Sequence, residues 1–247
     1  MLFEIIAATV LVSLVSLIGV LLLSLRKKLL ETVTFVILAF ATGSLLGAAF
    51  LHILPEAVES MEPHVVFPIV LGSMLLFFVL EQFVHWHHEH HDHKTHEKPM
   101  AYLVLVGDGV HNFFDGVAIS AAFLTSPEVG ITSTIAIIMH EIPQEISDFT
   151  LLVYAGFSRT KALATNLISG LTAVLGAVGF YYLSGIIENL EVYGLAFAAG
   201  GFIYIASTDI IPELHKEEKT SRSVIQFLSM LAGVLAIYVL ANALHVH

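Results

Sequence analysis

The chain has 247 residues, of which 57% are hydrophobic and only 13% charged, with a mean hydropathy of +0.86; that excludes a water-soluble domain and reads as an integral membrane protein. A net charge of -11 argues against nucleic acid as a partner and suits cations. The absence of cysteine removes disulfides and thiolate ligation, leaving imidazole, carboxylate, amide and thioether groups for any metal.

An apolar helix crosses a bilayer in roughly 20 residues, and eight such stretches follow one another near 3–25, 33–54, 65–86, 100–124, 129–155, 161–184, 193–211 and 223–244. The expected fold is therefore all-α, a single transmembrane domain over 1–247. The first stretch has no basic leading region or Ala-x-Ala-like cleavage site and runs straight into Arg26-Lys27-Lys28, so it is expected to be a mature span. The second carries Gly43-x-x-x-Gly47, a pattern suited to close helix packing, and ends at His52-Ile53-Leu54-Pro55-Glu56.

The third runs into a loop at about 85–99 that holds seven of the fourteen histidines, His85 to His96. Such tracts bind transition metals without a defined geometry, which predicts a metal buffer or sensor. The fourth centres on His111-Asn112-Phe113-Phe114-Asp115, with Asp108 one turn earlier, and the fifth on His140-Glu141-Ile142-Pro143-Gln144-Glu145, with Asp148 beyond. A short turn at Ser126-Pro127-Glu128 joins them as a hairpin. Pro143 is expected to kink the fifth helix and free carbonyls beside the polar groups. The seventh ends at Asp209-Ile210-Ile211-Pro212-Glu213.

All ten basic residues, Arg26, Lys27, Lys28, Lys94, Lys98, Arg159, Lys161, Lys216, Lys219 and Arg222, fall in the loops after spans 1, 3, 5 and 7. With eight spans those loops share one side, which the positive-inside rule makes cytoplasmic. Both termini then face outward from the cell membrane. Spans 2 and 7 also align at a constant offset, Ala39-Phe40-Ala41-Thr42-Gly43 on Ala196-Phe197-Ala198-Ala199-Gly200 and His52 to Glu56 on Asp209 to Glu213, both 157 residues apart. The two copies run in opposite senses, so spans 1–3 and 6–8 are expected to form an inverted repeat around the 4–5 hairpin, the architecture of alternating-access transporters.

Helical spacing puts Asp108, His111, Asn112 and Asp115 on one stripe and His140, Gln144 and Asp148 on another, with Glu141 and Glu145 one step round. Hydrogen bonding between helices accounts for Asn112 or Gln144 taken singly. It does not account for the set, because a charge at the bilayer centre costs about 2.5 to 3.5 kcal/mol even on the lenient scale and the spans hold no basic partner. The missing partner is a divalent cation. His52 and Glu56 at one mouth, and Asp209 and Glu213 at the other, are candidate pathway ligands, as are Asp108, Glu145 and Asp148, which are also candidates for a secondary metal. The helix-ending role of Pro55 and Pro212 explains the mouth residues equally well.

Gly107-Asp108-Gly109-Val110-His111-Asn112-Phe113-Phe114-Asp115-Gly116 and His140-Glu141-Ile142-Pro143-Gln144-Glu145 resemble the fourth- and fifth-span motifs of the ZIP (Zrt/Irt-like protein) family of divalent metal transporters. The resemblance extends over essentially the whole chain. It implies that His111, Asn112, Asp115, His140, Glu141 and the residue at 144 form a one- or two-metal site, and it suggests a homodimer. The chain departs from the family at Gln144, commonly His or Glu, and at Ala173, where some members carry Glu after a Ser-Gly pair. The expected function is import of zinc into the cytoplasm, with iron, manganese and cadmium also compatible with the ligands. The competing readings are an intramembrane zinc protease, since His140-Glu141 opens a His-Glu-x-x-His pattern whose second histidine is Gln144, and a metal sensor that does not transport.

Overall fold

The computed structural model describes residues 1–18, 27–89, 97–217 and 219–245, without the side chains at 27–34, 83–89, 97–103, 154, 209 and 244–245. Residues 90–96 of the His-rich tract, the side chains of its remaining residues and the carboxylate of Asp209 lie outside what is described, and the expected loop is helical in α4 up to Glu89 and in α5 from Glu97. Among the described residues there is no strand. The helices are α1 (Leu2–Val15) with a 3-10 turn (Ser16–Ile18), α2 (Lys27–Ala48), α3 (Leu54–Ser60), α4 (Pro63–Glu89), α5 (Glu97–Thr125), α6 (Pro127–Tyr154), α7 (Arg159–Gly170), α8 (Thr172–Ser184), α9 (Leu190–Ile205), α10 (Ile211–Leu214) and α11 (Thr220–His245).

Among the described residues, five stretches are long and apolar enough to cross a membrane: Phe35–Ser60, Pro63–Gln82, Arg159–Ser184, Leu190–Leu214 and Thr220–Ala243. Leu2–Ile18 is apolar but shorter. Helices α5 and α6 have the length, 29 and 28 residues, but the polar motifs interrupt their apolar runs. Burial grades these helices. Only 17% of the apolar window is buried in α4 and in α11, against 71% in the stretch that contains α9. The outward side chains of the first two include Leu71, Leu75, Phe78, Phe227, Leu235 and Val239, a surface that hydrocarbon tolerates and water does not.

Two helix pairs approach backbone to backbone. A Cβ on Gly116 would lie 1.8 Å from the Ala173 carbonyl oxygen and one on Gly176 2.0 Å from that of Phe113, so α5 and α8 meet where neither can carry a side chain. Gly43 and Gly233 close α2 on α11 in the same way, at 1.9 Å from the Met230 oxygen and 2.1 Å from that of Phe40. The Gly43-x-x-x-Gly47 pattern is thus a packing seam. Gly200 meets α4 at Val70, where Ser73 Oγ donates to the Phe197 carbonyl at 2.7 Å.

The irregular backbone falls elsewhere than expected. Helix α6 runs unbroken through Pro143, whereas π-helical turns interrupt the two helices that flank the hairpin, at Ala49–Ile53 and at Ala206–Ile210. Each π turn precedes a short helix with proline in its first turn, Pro55 in α3 and Pro212 in α10. Proline has no N–H to donate, and a widened turn absorbs the missing bond. The two turns begin 157 residues apart, the spacing of the sequence repeat (206 less 49).

Candidate metal site

Helix α6 begins at Ser126, whose hydroxyl accepts from the Val129 N–H at 3.2 Å, with Pro127 preset in the first turn. This tight start turns the chain directly from α5 into α6, so the two motif helices lie antiparallel. His111 and Asp115 from α5 then face His140 and Glu141 from α6.

Four side-chain atoms converge there. His111 Nε2 is 3.1 Å from His140 Nε2, 3.3 Å from Glu141 Oε1 and 3.8 Å from Asp115 Oδ2. His140 Nε2 is 3.3 Å from Asp115 Oδ2 and 3.4 Å from Glu141 Oε1. Zinc binds imidazole and carboxylate tetrahedrally at about 2.0–2.2 Å, which sets ligand atoms about 3.3–3.5 Å apart on the tetrahedron's edges. Five observed edges match or bracket that spacing. All four atoms lie within 4.8 Å of one another, close enough to share one ion.

The surroundings of the four atoms are buried and acidic. Asp115, His140 and Glu141 are 3%, 2% and 1% exposed. Asp115 Oδ2 and Glu141 Oε1 are buried, and neither receives a hydrogen bond among the described residues. Orphaned carboxylate oxygens in such surroundings are costly unless a cation meets them. His140 Nδ1 lies 3.3 Å from the Ala136 carbonyl; donation there leaves the Nε2 lone pair aimed at the site, the usual outer support of a metal-binding imidazole. The Phe202 ring of α9, itself 2% exposed, packs edge-on to His140 at 6.3 Å and walls off that side.

The other predicted residues divide. Asn112 is fully buried and donates to Asp108 Oδ1 at 2.9 Å and to the Asp108 carbonyl at 3.1 Å. Gln144 turns its Nε2 toward Asp108 Oδ1, 3.5 Å away. With Asp148 it lines two cavities. One of about 620 Å³ runs from His140 past Pro143 and Ser147 to Gln226 and Glu213. The other, about 470 Å³, lies between Asp108 and His111 on one side and Glu81 and Tyr204 on the other. Both open beside the C-terminal half of α6, the end that leads to Arg159 and Lys161. His111, whose side chain is 14% exposed, faces this side. Glu213 at the far end of the larger cavity is exposed and pairs with Lys216. His52 is buried in the first π turn and Glu56 half-buried beyond it.

His140, Gln144 and Asp148 line one cavity together, as their spacing predicts, and Glu141 and Glu145, one step round, are buried. The residues that sequence reasoning missed are donors on neighbouring helices. Ser169 Oγ donates to Asp108, and Ser16 Oγ and Asn166 Nδ2 donate to Glu145. A lone Asn three residues before Ser169 in an apolar span was the available signal.

The chain matches the family model described as ZIP Zinc transporter over residues 3–102 and 87–241. It is 34% identical over 215 residues to zinc transporter ZIP13 of Pongo abelii, covering 81% of this chain and 64% of that protein. To zinc transporter ZIP13 of Homo sapiens it is 30% identical over 253 residues, covering 81% and 68%. To human zinc transporter SLC39A7 it is 35% identical over 148 residues, covering 57% and 32%. The chain thus spans between about a third and two thirds of these relatives' length. The paired motifs and the converging ligand atoms sit within the matched residues, and the chain belongs to the ZIP zinc transporter family.

Proposed function

We propose that this protein carries divalent metal, zinc foremost, across a membrane into the cytoplasm through the site formed by His111, Asp115, His140 and Glu141. The observation that carries this reading is the convergence, within 4.8 Å of one another, of two imidazole nitrogens and two carboxylate oxygens that receive no hydrogen bond among the described residues, five of the six spacings lying at or near those of a zinc tetrahedron. The relatives, each named a zinc transporter, point to the same substrate. Iron, manganese and cadmium suit the same donors less selectively.

The transport frame has eight spans, with α1, α2–α3, α4, α5, α6, α7–α8, α9–α10 and α11 each crossing once, and the site near mid-membrane. Spans 1–3 and 6–8 form an inverted repeat around the α5–α6 hairpin. The equal spacing of the two π turns and of the two sequence copies supports the repeat, and the one-sided distribution of basic residues supports termini on the outer face of the cell membrane. In that orientation both cavities open to the cytoplasm, so the described conformation is the one that releases metal inward. Asn112 and Gln144 border the metal, Asn112 through its amide oxygen and Gln144 as a neutral donor at the cytoplasmic edge. Asp148 and Glu213 mark the inward path, and His52, Glu56 and Asp209 the repeat-related mouths. The assembly is a homodimer in the bilayer.

A protease reading requires a second histidine on α6, and Gln144 stands in that place. Purified protein in liposomes loaded with a zinc indicator tests the proposal. Uptake that disappears in both His111→Ala and Glu141→Ala supports it, and zinc-independent leakage or unchanged uptake in those variants overturns it.

A further inference from the structure

On the outside of the bundle lies a further cavity, lined by none of the four converging ligands. It holds about 690 Å³ between α4, α5 and the α7–α8 pair, and its apolar walls are Leu80, Val106, Val110, Phe113, Ile168 and Leu175. All of these but Leu80 are exposed, so the cavity is a groove open to the surroundings of the spans. Three hydroxyls, of Thr165, Ser169 and Thr172, also line it, yet each proton is committed to the protein. Thr165 Oγ1 donates to the Lys161 carbonyl at 2.9 Å, Ser169 Oγ to Asp108, and Thr172 Oγ1 to the Gly109 carbonyl at 2.5 Å. A polar occupant would find no hydroxyl donor left for it, whereas an apolar one forfeits nothing.

The dimensions match one leaflet of a bilayer. Along α5 the lining runs from Leu105 to Phe114, and along α7–α8 from Thr165 to Leu175. At roughly 1.5 Å per residue these walls are about 14 and 15 Å long, half of the roughly 30 Å hydrocarbon core. One end is basic. Lys161 lies one turn before Thr165 on the same stripe of α7, and this exposed residue places its ammonium 4.0 Å over the Phe157 ring. The cluster that contains Phe157 packs against Leu105, which begins the α5 wall at that end. The opposite end, at Phe113, Phe114 and Leu175, is apolar. A cation at the mouth of a leaflet-length apolar groove complements a phospholipid with an anionic headgroup.

We propose that this groove seats an acyl chain of an anionic phospholipid, drawn from the leaflet on the side of Arg159 and Lys161, with Lys161 at the headgroup. The chain fills the gap between α4 and α5 and covers the lipid side of the Ser169–Asp108 contact. The seat depends on the spans and on none of the metal ligands, so it stands or falls separately from the proposed transport site.

Quenching of tryptophan fluorescence by brominated acyl chains reads which lipid lies beside a chosen residue. The chain has one tryptophan, Trp86, so the reporters Ile168→Trp and Leu175→Trp are placed singly in full-length Trp86→Phe protein, with Leu235→Trp on the exposed face of α11 as the control. Vesicles mix phosphatidylglycerol and phosphatidylcholine, with either one brominated. Phosphatidylglycerol should be preferred about fivefold at both groove positions, the contribution of one lysine near an anionic surface, and not at Leu235→Trp. Lys161→Gln should bring the two lipids close to equality. Gly109→Phe, which fills the groove and leaves Lys161 in place, should do the same; a Cβ there meets nothing closer than 3.7 Å, and size-exclusion profiles check that both variants fold. Equal quenching by the two lipids at both groove positions, the same preference at Leu235→Trp, or a preference that persists in Lys161→Gln or in folded Gly109→Phe overturns the proposal.

Discussion

Replacing Asp115 by asparagine should move metal affinity and ion-free stability in opposite directions. Asp115 Oδ2 lies 3.3 Å and 3.8 Å from the two imidazole nitrogens and is buried without a hydrogen bond. As a direct ligand it should matter more than outer-sphere groups, whose loss weakens metal binding about 10- to 100-fold. Asp115→Asn should therefore weaken zinc binding by at least about 100-fold, roughly 2.7 kcal/mol. Without metal the sign reverses. Asparagine is nearly isosteric, removes one uncompensated charge and brings an N–H₂ group that can donate to Glu141 Oε1, the second orphan oxygen. An unsatisfied buried acceptor costs about 1–3 kcal/mol, so the ion-free variant should be more stable than ion-free wild type by an amount in that range. Thermal unfolding of purified protein in detergent, with chelator and with excess zinc, reads both effects. Zinc at about 100 times the wild-type dissociation constant should stabilise wild type by about 2.7 kcal/mol and the variant by no more than about 0.4 kcal/mol. A variant that is less stable in chelator, or that keeps the zinc-induced shift, refutes the view that these oxygens await a cation.

Three further outcomes follow from the same geometry. Gly116→Val should abolish the folded protein, because a Cβ there would meet the Ala173 carbonyl at 1.8 Å, whereas Gly72→Ala, with nothing within 4 Å, should leave the yield of monodisperse protein unchanged. Gln144→His adds an imidazole one turn from His140 and should raise zinc affinity about tenfold, roughly 1.4 kcal/mol; unchanged affinity by titration would place position 144 outside the ligand sphere. Zinc binding requires neutral imidazole and ionised carboxylate, so protons compete with the ion and affinity should fall as pH is lowered from about 7.5 to about 5.5. Binding that is flat over that interval would remove the two histidines from the site.

The elements that carry chemistry could be read from residue order because the bilayer makes them conspicuous. His111, Asp115, His140 and Glu141 stand out in apolar helices, where any charge demands an explanation. The offset of 157 residues was likewise visible, and the π turns fall on it. Periodicity placed His140, Gln144 and Asp148 on one stripe, which lines a cavity, and Glu141 one step round, where it reaches the ligand group. Helix α6 continues through Pro143, and the π turns fall in other helices.

From residue order alone came the membrane class, the donor types, the absence of a balancing cation and the pairing of the two motifs on one hairpin. These are properties of composition and spacing, which any fold of this chain must respect. Only the tertiary structure decided that four particular atoms meet within 4.8 Å of one another, that Gln144 turns its amide toward Asp108, and that Asn166, Ser169 and Ser16 hold Glu145 and Asp108 beside Glu141. A helix's own periodicity sets the face a residue occupies but not the rotation and axial shift of one helix against the next. Those are set by backbone contacts such as Gly116 on Ala173 and Gly176 on Phe113, made between residues some 60 positions apart in the chain, which spacing within either helix cannot encode.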